Sequence, residues 1–118
     1  MPAEPDLAAL PILSGAAELE SWFEQHGAAE QEQWIRIVRK GKPGHSTGLP
    51  DLIESCLAFG WVDVKTKRVD DDTYAIRLTP RRAGSSWSER NREIARALIA
   101  SGRMRPAGVA KLPADFEG

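Results

Sequence analysis

The densest run of chemistry-bearing side chains is Arg77-Leu78-Thr79-Pro80-Arg81-Arg82-Ala83-Gly84-Ser85-Ser86-Trp87-Ser88-Glu89-Arg90-Asn91. Arg81 and Arg82 precede a turn carrying serine hydroxyls, and the turn runs into the pattern of a helix start, where free backbone amides and the positive end of the helix dipole attract negative charge. A guanidinium grips a phosphate or carboxylate through two parallel hydrogen bonds, while Ser85, Ser88 and the first helix amides supply donors at shorter range. The chemistry these residues spell is the binding of an anion, a small molecule or an anionic protein partner. Asp63, two residues after Trp61, adds a carboxylate that either orients such an arginine for a ligand or neutralises it. Asn91 is either a further donor to the ligand or a polar anchor for the loop. The competing reading is structural: Ser86 caps the helix, Trp87 packs in the core, and the arginines pair with Asp63 or with the acidic run Asp70-Asp71-Asp72. The candidate ligand-binding set is therefore Asp63, Arg81, Arg82, Ser85, Ser88 and Asn91.

Other chemistries find less support. Arg92, Arg96 and Arg103, with Arg105, make a basic ridge on the far face of the following helix, the residue type that contacts nucleic-acid phosphates. Against this alternative, Glu89 and Glu93 are spaced to pair with Arg92 and Arg96 at i+3. An enzyme would use Asp63 as a base beside an arginine-lined pocket for a phosphorylated or carboxylated substrate. No G-x-S-x-G elbow is present, however, and Cys56 falls on the apolar stripe of a helix. His26 and His45 lack a partner at i+4, and one cysteine cannot build a cysteine-based zinc site, so neither a metal nor a cofactor is implied. Gly41, Gly44 and Gly48 miss the phosphate-loop spacings, which leaves Lys40 and Lys42 as weak anion contacts in a flexible loop.

These groups need a scaffold, and 118 residues provide for one domain. A composition of 42% hydrophobic and 28% charged residues is that of a folded globular protein. No apolar run reaches the roughly 18 residues of a membrane span, and the N-terminus has no secretion-signal pattern. A cytoplasmic protein without membrane insertion is expected. The formal net charge of −1 is unevenly spread: residues 1–59 hold four Lys/Arg against nine Asp/Glu, and residues 60–118 hold twelve against eight. The basic second half is consistent with an anionic partner.

Residues 1–13, rich in proline and alanine, read as an irregular surface arm. Ser14 caps a helix that Gly27 ends, with Leu19, Trp22, Phe23 and His26 at the spacing of one buried face. Residues 33–39 form a strand and residues 40–44 a loop. A second helix starts at Pro50 and stops at Gly60, with Leu49, Leu52, Ile53, Cys56 and Leu57 as its apolar stripe. Residues 61–69 and 73–79 are strands joined by the acidic turn as an antiparallel hairpin, with Tyr74, Ile76 and Leu78 facing inward and Ala75, Arg77 and Thr79 facing water. Ser86 and Glu89 fit a capping box that opens a helix over residues 87–101, ended by Gly102. One short helical turn and a tail over residues 111–118 complete the chain, with residues 14–110 as the domain. The fold class is α+β, a single small domain with a three-stranded antiparallel sheet and about three main helices, in the order α-β-α-β-β-α.

The run Leu57-Ala58-Phe59-Gly60-Trp61-Val62-Asp63, then Thr79-Pro80-Arg81-Arg82, Ser85 to Ser88 with Asn91, Gly102-Arg103-Met104 and Pro106-Ala107-Gly108, resembles the YdeI/OmpD-associated family, also called the bacteriocin-protection family. The likeness runs from about Ser14 to Ala110. It implies a bacterial protein with a part in bacteriocin protection and envelope-linked stress, and it implies no particular reaction or cofactor. Val64 stands where relatives place a glycine, which narrows the space for a ligand. The chain also ends soon after Lys111, whereas many relatives continue with helical sequence, so any activity housed there is expected to be missing.

Overall fold

The computed structural model describes residues 4–45, 48–82 and 87–116. Helix α1 spans Ala16–His26, strand β1 Gln33–Val38, helix α2 Leu49–Ala58, strand β2 Trp61–Arg68, strand β3 Thr73–Pro80, helix α3 Glu89–Ala100 and the single turn α4 Pro106–Val109. The sheet is antiparallel throughout, in the order β1-β3-β2. This is the α+β arrangement that the hydrophobic spacing predicts. Helix α2 is central, because it packs on α1, α3, α4 and β2. Its Leu52, Cys56 and Leu57 meet Ile76 and Leu78 of the sheet in one core cluster, each residue of this size contributing about 1.5–3 kcal/mol when fully buried. Aromatic rings fill the end of that core beside α1, with Phe23 stacked on Phe59 at 5.2 Å and Trp22 edge-on to Trp61 at 5.5 Å.

Three local expectations are corrected. Ser14 does not cap α1; Gly15 does, and Ser14 instead donates its N–H and its hydroxyl to Glu18 Oε1 at 2.6 and 2.8 Å. His26 is exposed, because α1 ends there and only Leu19 and Phe23 of the predicted face are fully buried. The cap of α3 is Ser88, whose Oγ accepts the Asn91 N–H at 3.1 Å, so the helix begins two residues later than a Ser86 cap would place it. Ser86 itself lies outside the described residues.

The outer face of β3 is also less wet than alternation suggests, since Ala75 is fully buried. Ala75 pairs with Arg36 on one side and Lys67 on the other, and the N-terminal arm crosses that row. Glu4 pairs with Lys67 at 2.7 Å, the carbonyls of Ala8 and Leu10 accept from Arg36 Nη1, and Ile12 bridges to Arg36 in parallel. Arg36 also reaches Asp70 at 2.9 Å. Asp70 Oδ1 in turn accepts from the Thr73 hydroxyl and from the N–H groups of Asp72 and Thr73, which shapes the hairpin turn. The Thr73 hydroxyl foremost, then these amides and Arg36, hold the Asp70 carboxyl below its ordinary range.

Between α2 and β2 the chain turns on Gly60, which has φ +78 and whose missing Cβ would lie 2.7 Å from the carbonyl oxygen of Ala107. Gly108 makes the reciprocal approach, its absent Cβ falling 2.4 Å from the carbonyl oxygen of Ala58. That same carbonyl accepts the Arg105 N–H at 3.0 Å, so the C-terminal turn caps the end of α2.

Two outcomes follow. Gly60→Ala combines a left-handed backbone with a backbone clash and should lower the unfolding free energy by about 2 kcal/mol or more in urea titration. Asp70→Asn should be less stable than the native chain at neutral pH. Because the folded carboxyl titrates below its unfolded value near pH ~4, this stabilisation is present above that value and is lost as pH falls through the lower folded one, so the two melting curves should converge in acid.

Candidate functional site

Gly60 fixes both halves of the candidate site. It directly precedes β2, in which Trp61 lies opposite Pro80 and Asp63 opposite Leu78, and its carbonyl accepts the Arg81 N–H at 2.8 Å just beyond the end of β3. Asp63 is thereby on the same sheet face as Leu78, half-buried, immediately before a bulge that carries the exposed Val64. Across from it, Cys56 projects from α2 into the core.

The side chain of Arg81 lies over the indole of Trp87, with its guanidinium carbon 4.5 Å from the ring centroid, a cation–π arrangement. Trp87 is only 6% exposed and belongs to the core cluster. Two donors in this stack, Arg81 Nε and Trp87 Nε1, are buried without a hydrogen-bond partner. Leaving a buried donor unpaired costs about 1–3 kcal/mol, and folded proteins keep few such groups. They are also the only two buried side-chain polar atoms so left among the described residues.

The electrostatics tie three elements together. Burial lowers the pKa of Arg81 from its ordinary value, and the neighbouring Asp63 and Cys56 oppose that shift. Burial pushes the Cys56 thiol up to about 12, with Asp63 adding to the effect and Arg81 working against it. Asp63 and Arg81 nonetheless lie beyond ion-pair distance, and Asp63 makes no hydrogen bond to a described residue. A buried neutral thiol is a poor nucleophile.

The structure thus brings Asp63 and Arg81 to one region and puts Ser88 and Asn91 at the adjoining start of α3, Ser88 with its oxygen engaged as the cap. Arg82 is exposed next to them, and Ser85 lies outside the described residues. The acidic turn does not neutralise the arginine pair, because Asp70, Asp71 and Asp72 pair with Arg36, Arg68 and Lys42. Sequence reasoning places Trp87 in the core and misses its unpaired N–H; the neighbouring arginine and serines are the available signal. It also left out Cys56, whose place on an apolar stripe gave no hint of Asp63 and Arg81 nearby.

The second basic set is distributed differently from a ridge. Arg92 pairs with Asp115 at 3.1 Å and Arg96 with Glu89 at 3.3 Å, in place of the i+3 pairs expected from spacing. Arg103 reaches Glu54 at 3.3 Å on α2, and Arg105 reaches Glu24 at 2.7 Å on α1. His45 lies with Nδ1 at 3.1 Å from the Val38 carbonyl, and among the described residues no three His, Cys, Asp or Glu side chains converge as a metal site. No described helix is long and apolar enough to cross a membrane.

Fold and site together define a small α+β domain with a partly buried, unpaired arginine on a core tryptophan. Residues 12–111 match the model of a family described as a domain of unknown function, DUF8412, and the chain belongs to that family. No curated protein and no solved structure matches it.

If Arg81 is kept for a ligand and not for the fold, Arg81→Met should leave the apo protein within about 1 kcal/mol of native stability, since the loss of the cation–π contact is offset by removal of an unpaired buried donor. Thermal melts of the two proteins check this; a loss of several kcal/mol would make Arg81 a structural residue.

Proposed function

We propose that this chain is a non-catalytic binding module whose ligand or partner presents an anionic group to Arg81 and Trp87. The observation that carries the reading is the pair of buried, unpartnered donors, Arg81 Nε and Trp87 Nε1. Buried donors left unpaired carry a hydrogen-bonding capacity that an acceptor brought by a ligand would meet once a local side-chain shift uncovered them, and two of them on one cation–π stack favour an anionic acceptor. Arg82, exposed beside the stack, adds attraction from solvent, while Ser88 and Asn91 at the start of α3 bring the helix dipole to the same side. The Cys56 thiol, which feels the charge of Arg81, is kept protonated at neutral pH by burial, which favours binding over covalent chemistry there.

The cellular setting of this reading comes from the resemblance to the YdeI/OmpD-associated family: a cytoplasmic bacterial protein acting in stress or bacteriocin tolerance. The nucleic-acid alternative draws on Arg92, Arg96, Arg103 and Arg105, each of which already faces a carboxylate, so phosphate contact there would have to displace an existing pair.

The test is a titration of nitrogen-labelled protein with inorganic phosphate, following the four tryptophan indole N–H signals. The Trp87 signal should shift and saturate, the shift should shrink as salt rises, and Arg81→Met should abolish it. A Trp87 signal that moves only linearly with ionic strength, in native protein and variant alike, contradicts the reading.

A further inference from the structure

Helix α1 and the C-terminal turn α4 both pack on α2, and a cavity of about 280 Å³ opens between them. All of its lining residues are described ones. Its floor is aromatic, made by Phe23, Phe59 and Trp61, which are 3%, 8% and 2% exposed. Its rim is made by exposed residues, Ala28 on the α1 side and Pro106 with Ala107 on the other. The close approaches of Gly60 to Ala107 and of Gly108 to Ala58 hold the α4 wall in place.

Two charged side chains complete the lining. Arg105 Nη2 donates to Glu24 Oε1 at 2.7 Å, and the guanidinium carbon sits 5.4 Å from the centroid of the Phe59 ring. Both side chains are about half exposed, so the pair is screened by solvent and adds little to stability. Among the described residues it is the one hydrogen bond that either side chain makes, which leaves donors on Arg105 Nε and Nη1 and an acceptor on Glu24 Oε2. The cavity therefore offers a donor beside an acceptor at zero net charge. In the smaller cavity beside the N-terminal arm, about 190 Å³, both charged side chains are taken up by the fold: Glu18 by Ser14, and Arg36 by the carbonyls of Ala8 and Leu10 and by Asp70.

An aromatic floor favours an aromatic occupant, because ring faces and edges of opposite partial charge attract beyond the area they bury. A volume just below that of drug-sized sites suits one ring or two fused rings. An anionic substituent would gain Arg105 and be repelled by Glu24, and a cationic one the reverse; an uncharged group with an acceptor next to a donor meets both. We infer that this cavity is a second binding site, for an uncharged aromatic molecule of one or two rings that carries an acceptor beside a donor, as in a carboxamide or a ring lactam. The ring packs on Phe23, Phe59 and Trp61, the carbonyl accepts from Arg105, and the N–H donates to Glu24. This site shares no residue with the Arg81 and Trp87 stack and stands apart from the anion reading.

The test titrates the full, nitrogen-labelled chain with benzamide, benzoate, benzylammonium and cyclohexanecarboxamide, following the indole N–H signal of Trp61. Benzamide should shift this signal and reach half-saturation at a concentration at least about fivefold below each of the other three, the loss expected for one hydrogen bond or one ring contact. Ala28→Leu, which adds bulk at an exposed rim position, should abolish the benzamide shift without moving the thermal melt, and Ala107→Leu serves as the second blocking variant. Glu24→Gln leaves the rim positively charged and should bring benzoate level with benzamide or ahead of it. Should the variants fail to fold, the native series decides alone. The inference is overturned by a Trp61 signal that does not saturate with benzamide, by equal binding of cyclohexanecarboxamide or of either charged ring, by a benzamide shift that survives a folded blocking variant, or by an order of benzamide and benzoate that Glu24→Gln leaves unchanged.

Discussion

Gly60 holds three segments in register: it ends the turn after α2, leads directly into β2, and accepts the backbone N–H of Arg81 just past the end of β3. Its left-handed φ and its contact with the Ala107 carbonyl leave no room for a side chain. Gly108 closes on α2 from the opposite side, so the short C-terminal turn and the glycine turn clamp the same helix end. Because Cys56 hangs from that helix, Asp63 from that strand and Arg81 from that hydrogen bond, the relative positions of all three are set by one residue without a side chain. A region built this way is organised by backbone geometry, which limits the ordering that the proposed binding would require.

Within that frame Arg81 differs from most of the arginines. Arg36, Arg68, Arg77, Arg92, Arg96, Arg103 and Arg105 each meet a carboxylate. Arg39 lies over Tyr74 at 5.2 Å. Arg81 is desolvated enough to have its charge disfavoured, while Asp63 stays beyond ion-pair distance. Stacking on Trp87 recovers part of what burial takes, about 1–2 kcal/mol, but it leaves both N–H groups unpaired. Fold stability is given up here to keep two buried donors unpaired, and the proposed binding role rests on that cost.

The sequence carried most of the fold because its signals were local. The run Gln33 to Val38 is rich in β-branched and aromatic residues, the acidic turn joins two strand-like runs, and Pro50 in the first turn with Gly60 just past the end marks out α2. Errors arose where a distant contact outweighed a local preference. Ser14 serves Glu18 instead of the helix end, Ala75 is buried by an arm more than sixty residues away, and Arg92 and Arg96 choose partners outside the i+3 spacing. The site was half legible. Arginines beside serines at a helix start announce an anion, but that the core indole of Trp87 would lend a donor, and that Asp63 would face Arg81 without touching it, depends on the register of β2 with β3.

The central claim is that the protein itself leaves Arg81 Nε and Trp87 Nε1 unsatisfied, and an atomic-resolution crystal structure of the ligand-free chain tests it most directly. The account predicts that no protein acceptor stands within hydrogen-bond distance of either nitrogen, and that an ordered water or anion contacts at least one of them. A backbone carbonyl or side-chain oxygen of the chain bonded to either nitrogen would contradict it, and would make the stack a structural cap.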